Sequence, residues 1–502
     1  MKLFNHNILF SVRNTFVILL GLGTLLLSSC EEDKYLYPEP STLISDNAAF
    51  DTEDRIANQV NGLYAKLKHG SFLGSYYFIM SDIRAGDFVS ANLNAATGAT
   101  TYQMNAETTT SEVRNIWARG YQAINACNVF IDNMQEKGLE VTGESLGKNF
   151  IGEARFVRAI AYYYLLQLYA RPYWDGDGSK PGLPIWLEGN TEPKNYDLAR
   201  SSVKETYAQI LADLDYAEEN LPESYNSAFL NTTRAHKNTA IAFKTKVYLS
   251  MGDYADVITE ANKIVSNAAP FQTSSGVHNA LVSDVRKVFE SPYVTEESIF
   301  SLPYTNEDSP GEGYSKFYLP GIGDGGTSSS NGRGDWYLNK DGIPADPVWT
   351  ANDDRRAFVL EGPQTHRFWL SKFNQASPYT DYTPIVRYAE VLLNLSEALA
   401  REKGMDARAI SLLNAVKSRS DQSFSYTSGD FSNAKDLIDK ILKERQIEFL
   451  GEGIRNADIM RLGIDIPAKP AHSVPAVKPT DFAYIYPISI DELNLNNLME
   501  NN

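Results

Sequence analysis

The chain has 502 residues, with 46 Lys and Arg against 63 Asp and Glu and a formal net charge of −17 at pH 7. This length suffices for one large domain or for two to three smaller ones. Because the acidic surplus repels phosphate backbones, we expect no nucleic acid among the partners.

Residues 1–29 have the pattern of an export signal. Basic residues precede an apolar run over 16–27, which is too short for a bilayer core that takes about 20 residues. Small residues and then Cys30 follow, with Leu27 three positions before the cysteine. This arrangement resembles a bacterial lipobox, so we expect the sulfur of Cys30 to be acylated and Cys30 to become the first residue of the mature chain. The alternative is an ordinary secretory signal with an incidental cysteine.

Residues 30–45 are predicted to be a lipidated tether. The acidic run at 31–33, directly after Cys30, resembles the signal that sends Bacteroidetes lipoproteins to the outer face of the outer membrane. The prediction is therefore a lipid-anchored protein of the outer membrane that faces the cell exterior. Cys127 then remains as a single thiol, so the fold needs no internal disulfide.

Four helices are predicted in the first part of the chain. Thr52 caps the first, which has acidic residues in its first turn and apolar side chains on one face. The second covers roughly 111–137 and the third about 147–170. The tyrosine run at 162–164 covers more than one side of the third helix and predicts packing between neighbours. A capping box at 202–205 begins the fourth.

Three helical hairpins are predicted farther along. They occupy about 236–267, 384–418 and 433–462, each with a turn that contains glycine. A helix, a turn and an antiparallel helix in about 34 residues is the period of a tetratricopeptide unit, although the consensus of that repeat is not met. We therefore predict a mainly α fold built on a scaffold of tetratricopeptide-type helical pairs.

Residues 270–383 have a different character. Helical periodicity fades there, and Gly, Ser, Pro, Asp and aromatic residues accumulate, which is typical of a functional insert. The predicted organisation is an N-terminal helical scaffold with inserted loops (46–269), a loop-rich variable ligand-binding region with few short strands (270–383) and a C-terminal helical scaffold (384–502).

Six segments in order carry a family resemblance. They include GEARFVRAIAYYYLLQLYARPYW and ERQIEFLGEGIRNADIMRLG, and they cover residues 152–174, 206–222, 235–265, 387–404, 444–463 and 486–497. The chain resembles the SusD/RagB family of Bacteroidetes outer-membrane glycan-binding lipoproteins, and departs from it at Leu495, where the family usually has proline. The resemblance implies a protein that captures oligosaccharide or polysaccharide without cleaving it. It would deliver the glycan to a SusC-like TonB-dependent porin.

Loop aromatics with polar neighbours are the expected glycan ligands, because pyranose rings need flat apolar faces and partners for their hydroxyls. Rings on helices, such as Tyr162, Tyr164 and Tyr207, are assigned to the core. The family resemblance adds the N-terminal loop, with Asn92 and Asn94, as a second wall. The predicted ligand-binding set is Trp336, Tyr314, Tyr337, Phe317, Tyr318, Tyr102, Asn331, Asp335 and Trp174.

No cofactor, metal site or catalytic residue is predicted. Asp175, Asp177 and Ser179 alternate like the start of a calcium loop, but the later bidentate glutamate is missing, which disfavours calcium. Glu444 and Glu448 share a helix face at a separation that suits a glycosidase pair. Ion pairs with neighbouring arginines, however, explain these two carboxylates at least as well. A glycoside hydrolase and a helical-repeat adaptor that binds protein or peptide, including peptide for uptake, stay open as alternatives.

Overall fold

The computed structural model describes residues 48–192, 195–326 and 332–502. The predicted signal, the tether with Cys30, and Asn331 lie outside these residues. Within the described ranges, every helix falls short of the length and apolarity that a bilayer crossing requires.

The fold is mainly α, as predicted, with helices that pack largely against their neighbours in sequence. The first helices are α1 (Glu53–Leu67), α2 (Tyr76–Arg84), α3 (Ala99–Tyr102), α4 (Ser111–Asn133), α5 (Leu139–Thr142), α6 (Glu144–Tyr169), α7 (Val203–Asn220) and α8 (Ala228–Thr233). They are followed by α9 (Lys237–Met251), α10 (Tyr254–Ala261), α11 (Tyr314–Tyr318), α12 (Tyr388–Lys403), α13 (Ala407–Ser420), α14 (Ala434–Glu448), α15 (Ile454–Arg461) and α16 (Ile490–Leu495).

The predicted helix signals are present in the structure. The Thr52 hydroxyl accepts a hydrogen bond from the backbone N–H of Arg55 at the start of α1. Ser202 and Glu205 form the reciprocal capping box of α7. The three predicted hairpins correspond to α9 with α10, α12 with α13, and α14 with α15. In the first of these, Gly252 takes a positive φ of 76° to end α9, a conformation that costs glycine little.

Helix α6 lies at the centre of the helical part. It packs against α1, α4 and α7, and every residue from 156 to 169 is buried. The prediction that its tyrosines lie between neighbours is therefore confirmed, since Tyr162, Tyr163 and Tyr164 all belong to the core. Cys127, on α4, is also fully buried, which raises the pKa of its thiol. The physical cause is that burial disfavours the thiolate.

The described residues also form six short strands: β1 (Phe88–Ser90), β2 (Ser298–Leu302), β3 (Trp336–Leu338), β4 (Val359–Glu361), β5 (Phe368–Leu370) and β6 (Thr383–Arg387). β2 and β6 pair with each other. The other four form an antiparallel sheet in the order β1-β3-β5-β4. We call this the shared sheet, because β1 comes from the N-terminal part of the chain and its three other strands come from the central segment.

A buried set of ion pairs joins the strand-rich segment to the C-terminal helices. Its five carboxylates and five cations balance in charge, which is the condition under which burial of so many ions is tolerable. We call this set the buried ion network; it consists of Glu297, Asp353, Arg355, Lys372, Arg387, Lys417, Arg419, Glu444, Glu448 and Glu452.

A candidate ligand site at the shared sheet

Trp336 and Tyr337 lie in strand β3 and not in a loop. Successive side chains of a strand point to opposite faces of the sheet. Trp336 and Leu338 are fully buried on one face, whereas Tyr337 is partly exposed on the other. The expectation that Trp336 lies in a loop is therefore wrong, and its neighbour Tyr337 occupies the outward position.

The other central rings are also turned inward. Tyr314, Phe317 and Tyr318 belong to the short helix α11 and are all buried. Tyr314 stacks on Phe373 with ring centroids 4.1 Å apart, and the hydroxyl of Tyr318 donates a hydrogen bond of 2.8 Å to Asp82. The expectation of a loop position is wrong for these three residues as well, because they belong to α11, which packs them into the core.

Asp335 and Tyr102 are two further members of the predicted set that the structure buries. The Asp335 carboxylate accepts a hydrogen bond of 2.5 Å from Nε of Arg333, so it is already paired. Tyr102 has no exposed surface, and its ring centroid lies 5.1 Å from that of Trp336. The structure thus brings Tyr102 of the N-terminal wall and Trp336 of the central segment together, but the two rings pack against each other inside the protein and do not line an open site.

Three polar atoms at this ring pair lack hydrogen-bond partners among the described residues. They are Oγ of Ser90, Oη of Tyr102 and Nε1 of Trp336, and all three are buried. Ser90 and Trp336 are opposite each other in the pairing of β1 with β3. A buried polar group without a partner costs about 1–3 kcal/mol, so this corner of the sheet is one where an added hydroxyl would gain hydrogen bonds.

A hairpin over residues 466–477 covers the Tyr102 side of the ring pair. Backbone hydrogen bonds between Ile466 and Val477 hold it together. Nε2 of His472 lies 2.9 Å from the carbonyl oxygen of Ser90, and the His472 ring meets the ring of Tyr102 edge-on.

Lys469, in the same hairpin, is almost fully buried and donates a hydrogen bond of 2.8 Å to the carbonyl oxygen of Tyr102. Burial, with the nearby charge of Arg84, lowers the pKa of the Lys469 amine to about 7. An amine held in this way binds its proton far less tightly than a lysine in water does.

The outward face of the shared sheet carries the accessible chemistry. The guanidinium carbon of Arg367 lies 4.6 Å from the centroid of the Tyr337 ring, and Trp369 packs beside that ring at 5.8 Å. Nε1 of Trp369 donates a hydrogen bond to Asp324, which keeps this second ring buried. Leu360, opposite Trp369 in strand β4, is 42% exposed. This face therefore offers one partly exposed aromatic ring with a cation on it and an apolar neighbour.

Exposed amides lie at one end of this sheet. The backbone N–H of Ala91 donates a hydrogen bond of 2.8 Å to the carbonyl oxygen of Asp335, which places the following loop next to the start of β3. Asn92 and Asn94 are both exposed in that loop, and Oδ1 of Asn94 accepts a hydrogen bond from the backbone N–H of Ala96. A donor and acceptor group is thus available within the same loop that supplies β1.

Trp174 is exposed but belongs to another part of the surface. Its side chain is 44% exposed, and Nε1 donates a hydrogen bond of 2.8 Å to the carbonyl oxygen of Met460 in α15. Nearby, Asp175 pairs with Arg171 at 2.6 Å, so one oxygen donor of the calcium-like pattern already has a cation. Across the described parts of the chain, His, Cys, Asp and Glu form no group of three that would hold a metal ion.

Glu444 and Glu448 belong to the buried ion network. Nη1 of Arg355 lies 2.6 Å from Glu444 and 2.8 Å from Glu448, and neither carboxylate is exposed by more than 1%. Burial alone would raise the pKa of Glu448, but the guanidinium groups around it outweigh this effect and lower the pKa below its ordinary value. These carboxylates are therefore paired structural ions in the protein interior and do not line an open cleft.

The residues that sequence reasoning missed at this site are Arg367, His472 and Lys469. None of them stands in a recognisable motif. The apolar run Trp336-Tyr337-Leu338 did carry a usable signal, since a strand assignment predicts that its middle residue faces away from the other two.

Comparisons with known proteins match most of the chain to one family. A family model described as "starch-binding associating with outer membrane" matches residues 34–249, and a SusD family model matches residues 339–502. A SusD superfamily protein from Bacteroides fragilis is 31% identical, with a TM-score of 0.79, over 90% of this chain and 99% of the other.

Two further relatives are more distant. SusD-like protein P2 of Formosa agariphila is 26% identical over 89% of this chain and 90% of its own length. A solved structure described as a laminarin-binding SusD-like protein has 21% identity and a TM-score of 0.70, with 90% of this chain and 99% of the other covered. At this identity the second likeness concerns the fold alone.

Proposed function

The chain belongs to the SusD/RagB family, and from that premise we propose that it is a cell-surface lipoprotein that captures oligosaccharide or polysaccharide. It would pass the captured glycan to a SusC-like TonB-dependent transporter in the outer membrane. The observation that carries the proposal is the match to the B. fragilis SusD superfamily protein over nine-tenths of this chain.

The names of two relatives support a carbohydrate as the ligand. One neighbour in fold is described as binding laminarin, and the matching N-terminal family is described as starch-binding. Both ligands are neutral glucans, which suits a protein whose ligand contacts are aromatic rings and amides more than ionic groups.

For the glycan site we propose the outward face of the shared sheet. Tyr337 would stack on a pyranose ring, with Arg367 behind it as a hydrogen-bond donor and the amides of Asn92 and Asn94 at the adjoining loop. Trp336 and Tyr102 would act from beneath, where their packing fixes the strand that presents Tyr337. Trp174 remains a candidate for a contact elsewhere on the surface.

We propose that the protein binds without cleaving. A glycosidase needs two carboxylates across an accessible cleft. The pair that sequence suggested, Glu444 and Glu448, is engaged by Arg355 inside the protein, so a sugar has no route to it without disruption of the buried ion network. No cofactor is needed for this role.

The experiment is a binding assay on protein that lacks residues 1–29. The protein is titrated against laminarin, starch, xylan and mannan while released sugars are monitored. Binding without release of sugars supports the proposal, whereas release of sugars would favour a hydrolase. Failure to bind any glycan would favour the protein- or peptide-binding adaptor.

A pair of matched variants tests the placement of the site. Tyr337→Ala should weaken glycan binding by about tenfold, which corresponds to about 1.4 kcal/mol. Tyr254→Ala is the control, because Tyr254 is also a partly exposed tyrosine with an arginine over its ring, at 4.9 Å from Arg401, but it lies on α10. Equal affinity of the two variants would place the glycan somewhere other than the shared sheet.

A further inference from the structure

An open cleft of about 700 Å³ lies on the helical side of the molecule. Its lining comes from α1, from α4, from residues 186, 190, 195 and 196, and from α16 with the residue that follows it, so none of the strands of the shared sheet contributes to it. This volume falls within the range of ligand sites for small molecules and oligomers, roughly 300–1,000 Å³. We call it the helix-side cleft; the residues that matter to its chemistry are Tyr121, Gln122, Asn125, Trp186, Asn190 and Tyr196.

The loop that forms one wall of this cleft is held in place by side chains of the scaffold. Asn125 exchanges two hydrogen bonds with the backbone of Asn190, at 2.7 and 3.0 Å. The Tyr162 hydroxyl accepts a hydrogen bond from the backbone N–H of Trp186 and donates one to its carbonyl oxygen, at 2.7 and 2.9 Å. Because these bonds fix the backbone at Trp186 and Asn190 in advance, a ligand would not have to order that part of the wall.

Aromatic rings give the cleft its apolar surface. Trp186 and Tyr196 are both partly exposed and meet edge-to-face, with ring centroids 5.9 Å apart. Tyr121 lies in the same lining, and its hydroxyl donates a hydrogen bond of 3.0 Å to the carbonyl oxygen of Pro184. Rings held at fixed positions offer flat area at little cost in conformational entropy, which suits the C–H faces of pyranose rings.

Neutral amides supply the polar part of the lining. Gln122 and Asn195 are exposed in the cleft. Oδ1 of Asn190 is buried and has no hydrogen-bond partner among the described residues. Amides donate and accept, so they match the hydroxyls of a sugar, and a hydroxyl donor near Asn190 would remove the cost of its unpaired oxygen.

The charges of the cleft disfavour an ionic ligand. Lys66 and Glu492 line it with opposite signs. The Glu492 carboxylate is already engaged, since it accepts hydrogen bonds from Nε1 of Trp117 and from Nδ2 of Asn496. With no surplus of either sign, neither a phosphate nor a polyanion finds a complementary field there.

We propose that the helix-side cleft is a second binding site for neutral oligosaccharide, separate from the shared sheet. The inference rests on the proposed function, in that glycan is taken to be the ligand class. Stacking on Trp186 and Tyr196 and hydrogen bonds to Gln122, Asn190 and Asn195 would hold the sugar.

Two variants test the cleft in different ways. Trp186→Ala removes a ring, whereas Ala118→Arg fills the cleft from an exposed position of α4 and removes no existing contact. Phe229→Ala is the matched control, because Phe229 is 46% exposed on α8 and belongs to neither site. Circular dichroism and a thermal melt check that each variant is folded. If Trp186→Ala does not fold, Ala118→Arg still tests the cleft.

The measurement is calorimetric titration with short oligosaccharides prepared from laminarin and starch. The wild-type protein and Phe229→Ala should show two sites per chain. Trp186→Ala and Ala118→Arg should each weaken one of the two by at least tenfold, the loss expected for an aromatic anchor, while the affinity of the other site, which Tyr337→Ala weakens, is unchanged.

Each other outcome has a defined meaning. If the wild type binds glycan but Trp186→Ala and Ala118→Arg bind like it, the cleft proposal is overturned and the proposed function stands. If the wild type binds no glycan, the proposed function fails first. If Ala118→Arg binds a protein or peptide more weakly than the wild type does but binds glycan equally well, the proposal is overturned. The ligand of the cleft would then be a polypeptide, in contact with the exposed residue Leu495 at its rim.

Discussion

Replacement of Arg387 by methionine tests the contribution of the buried ion network. The Arg387 side chain is 1% exposed and lies 2.5 Å from Glu297, 2.9 Å from Glu448 and 2.8 Å from Glu452. Methionine fills much of the same volume without a charge, so the variant leaves five buried carboxylates with four cations. Removal of one partner from a buried ion pair typically costs about 3–5 kcal/mol, because the other charge stays buried without compensation.

The cations that remain determine where the loss of stability of Arg387→Met falls within this range. Glu297 keeps Arg419 at 2.8 Å, and Glu452 keeps Lys372 at 2.8 Å. Since each carboxylate retains at least one cation, we expect a value near 3 kcal/mol rather than 5. The assay is urea denaturation followed by tryptophan fluorescence, with Lys435→Met as the control. Lys435 is 80% exposed and pairs with Asp439 at the surface, so its loss should cost about 0–1 kcal/mol.

A second variant separates charge balance from packing. Arg387→Met combined with Glu452→Gln restores equal numbers of buried carboxylates and cations, so it should be less destabilised than the sum of the two single changes. If Arg387→Met falls within 1 kcal/mol of Lys435→Met, the network contributes no more than surface ion pairs do, and the reasoning is refuted.

Three more predictions concern the ligand site and its attachment. Trp336→Ala should lower the free energy of unfolding by about 3–5 kcal/mol in urea denaturation, because it empties a fully buried position, whereas Tyr337→Ala should cost far less. The pKa of Lys469 is about 7 in the folded protein and about 10.4 in an unfolded chain. Between these two pH values folding removes the proton from the amine, and below pH 7 folding buries the charged amine, so in both ranges Lys469 destabilises the folded state. This destabilisation is complete below about pH 7 and disappears as the pH rises toward 10. Lys469→Met should therefore be more stable than wild type at pH 7, and the difference between their free energies of unfolding in urea should narrow between pH 7 and 10. A constant difference would contradict this assignment. Cys30→Ala should release a folded protein into the soluble fraction, with glycan affinity unchanged in titration and glycan uptake lost from cells; a variant that still incorporates labelled fatty acid would refute acylation of Cys30.

Local sequence signals predicted the helical part because each depends on a few adjacent residues. The capping box at Ser202 and Glu205, the glycine at 252 and the tyrosine run of α6 all specify their structure through neighbours in the chain. The family resemblance added the order of the segments and the class of ligand, and the comparisons confirm the family.

The burial of the predicted ring set has a different origin. Trp336 and Tyr102 are buried because strand β1 pairs with β3 and because the hairpin at 466–477 closes over them. Those contacts join residues that are hundreds of positions apart, and composition in a window around Trp336 carries no trace of them. An aromatic residue in a segment without helical periodicity was interpreted as a loop residue, although a short strand has the same local appearance.

The shared sheet has a consequence for how the protein is made. Phe88 pairs with Leu338, so about 250 residues must be looped out before β1 finds its partner strand. Contacts of such sequence separation form slowly, because the loss of chain entropy on closing the loop precedes the gain from packing. If the chain is exported as proposed, the helical hairpins can assemble from local contacts as it emerges, whereas the Tyr337 face forms only after most of the polypeptide has crossed. A chain truncated before residue 336 would lack this surface together with helices α12 to α16. The proposed glycan capture is thus expected to be among the last properties that the newly made protein acquires.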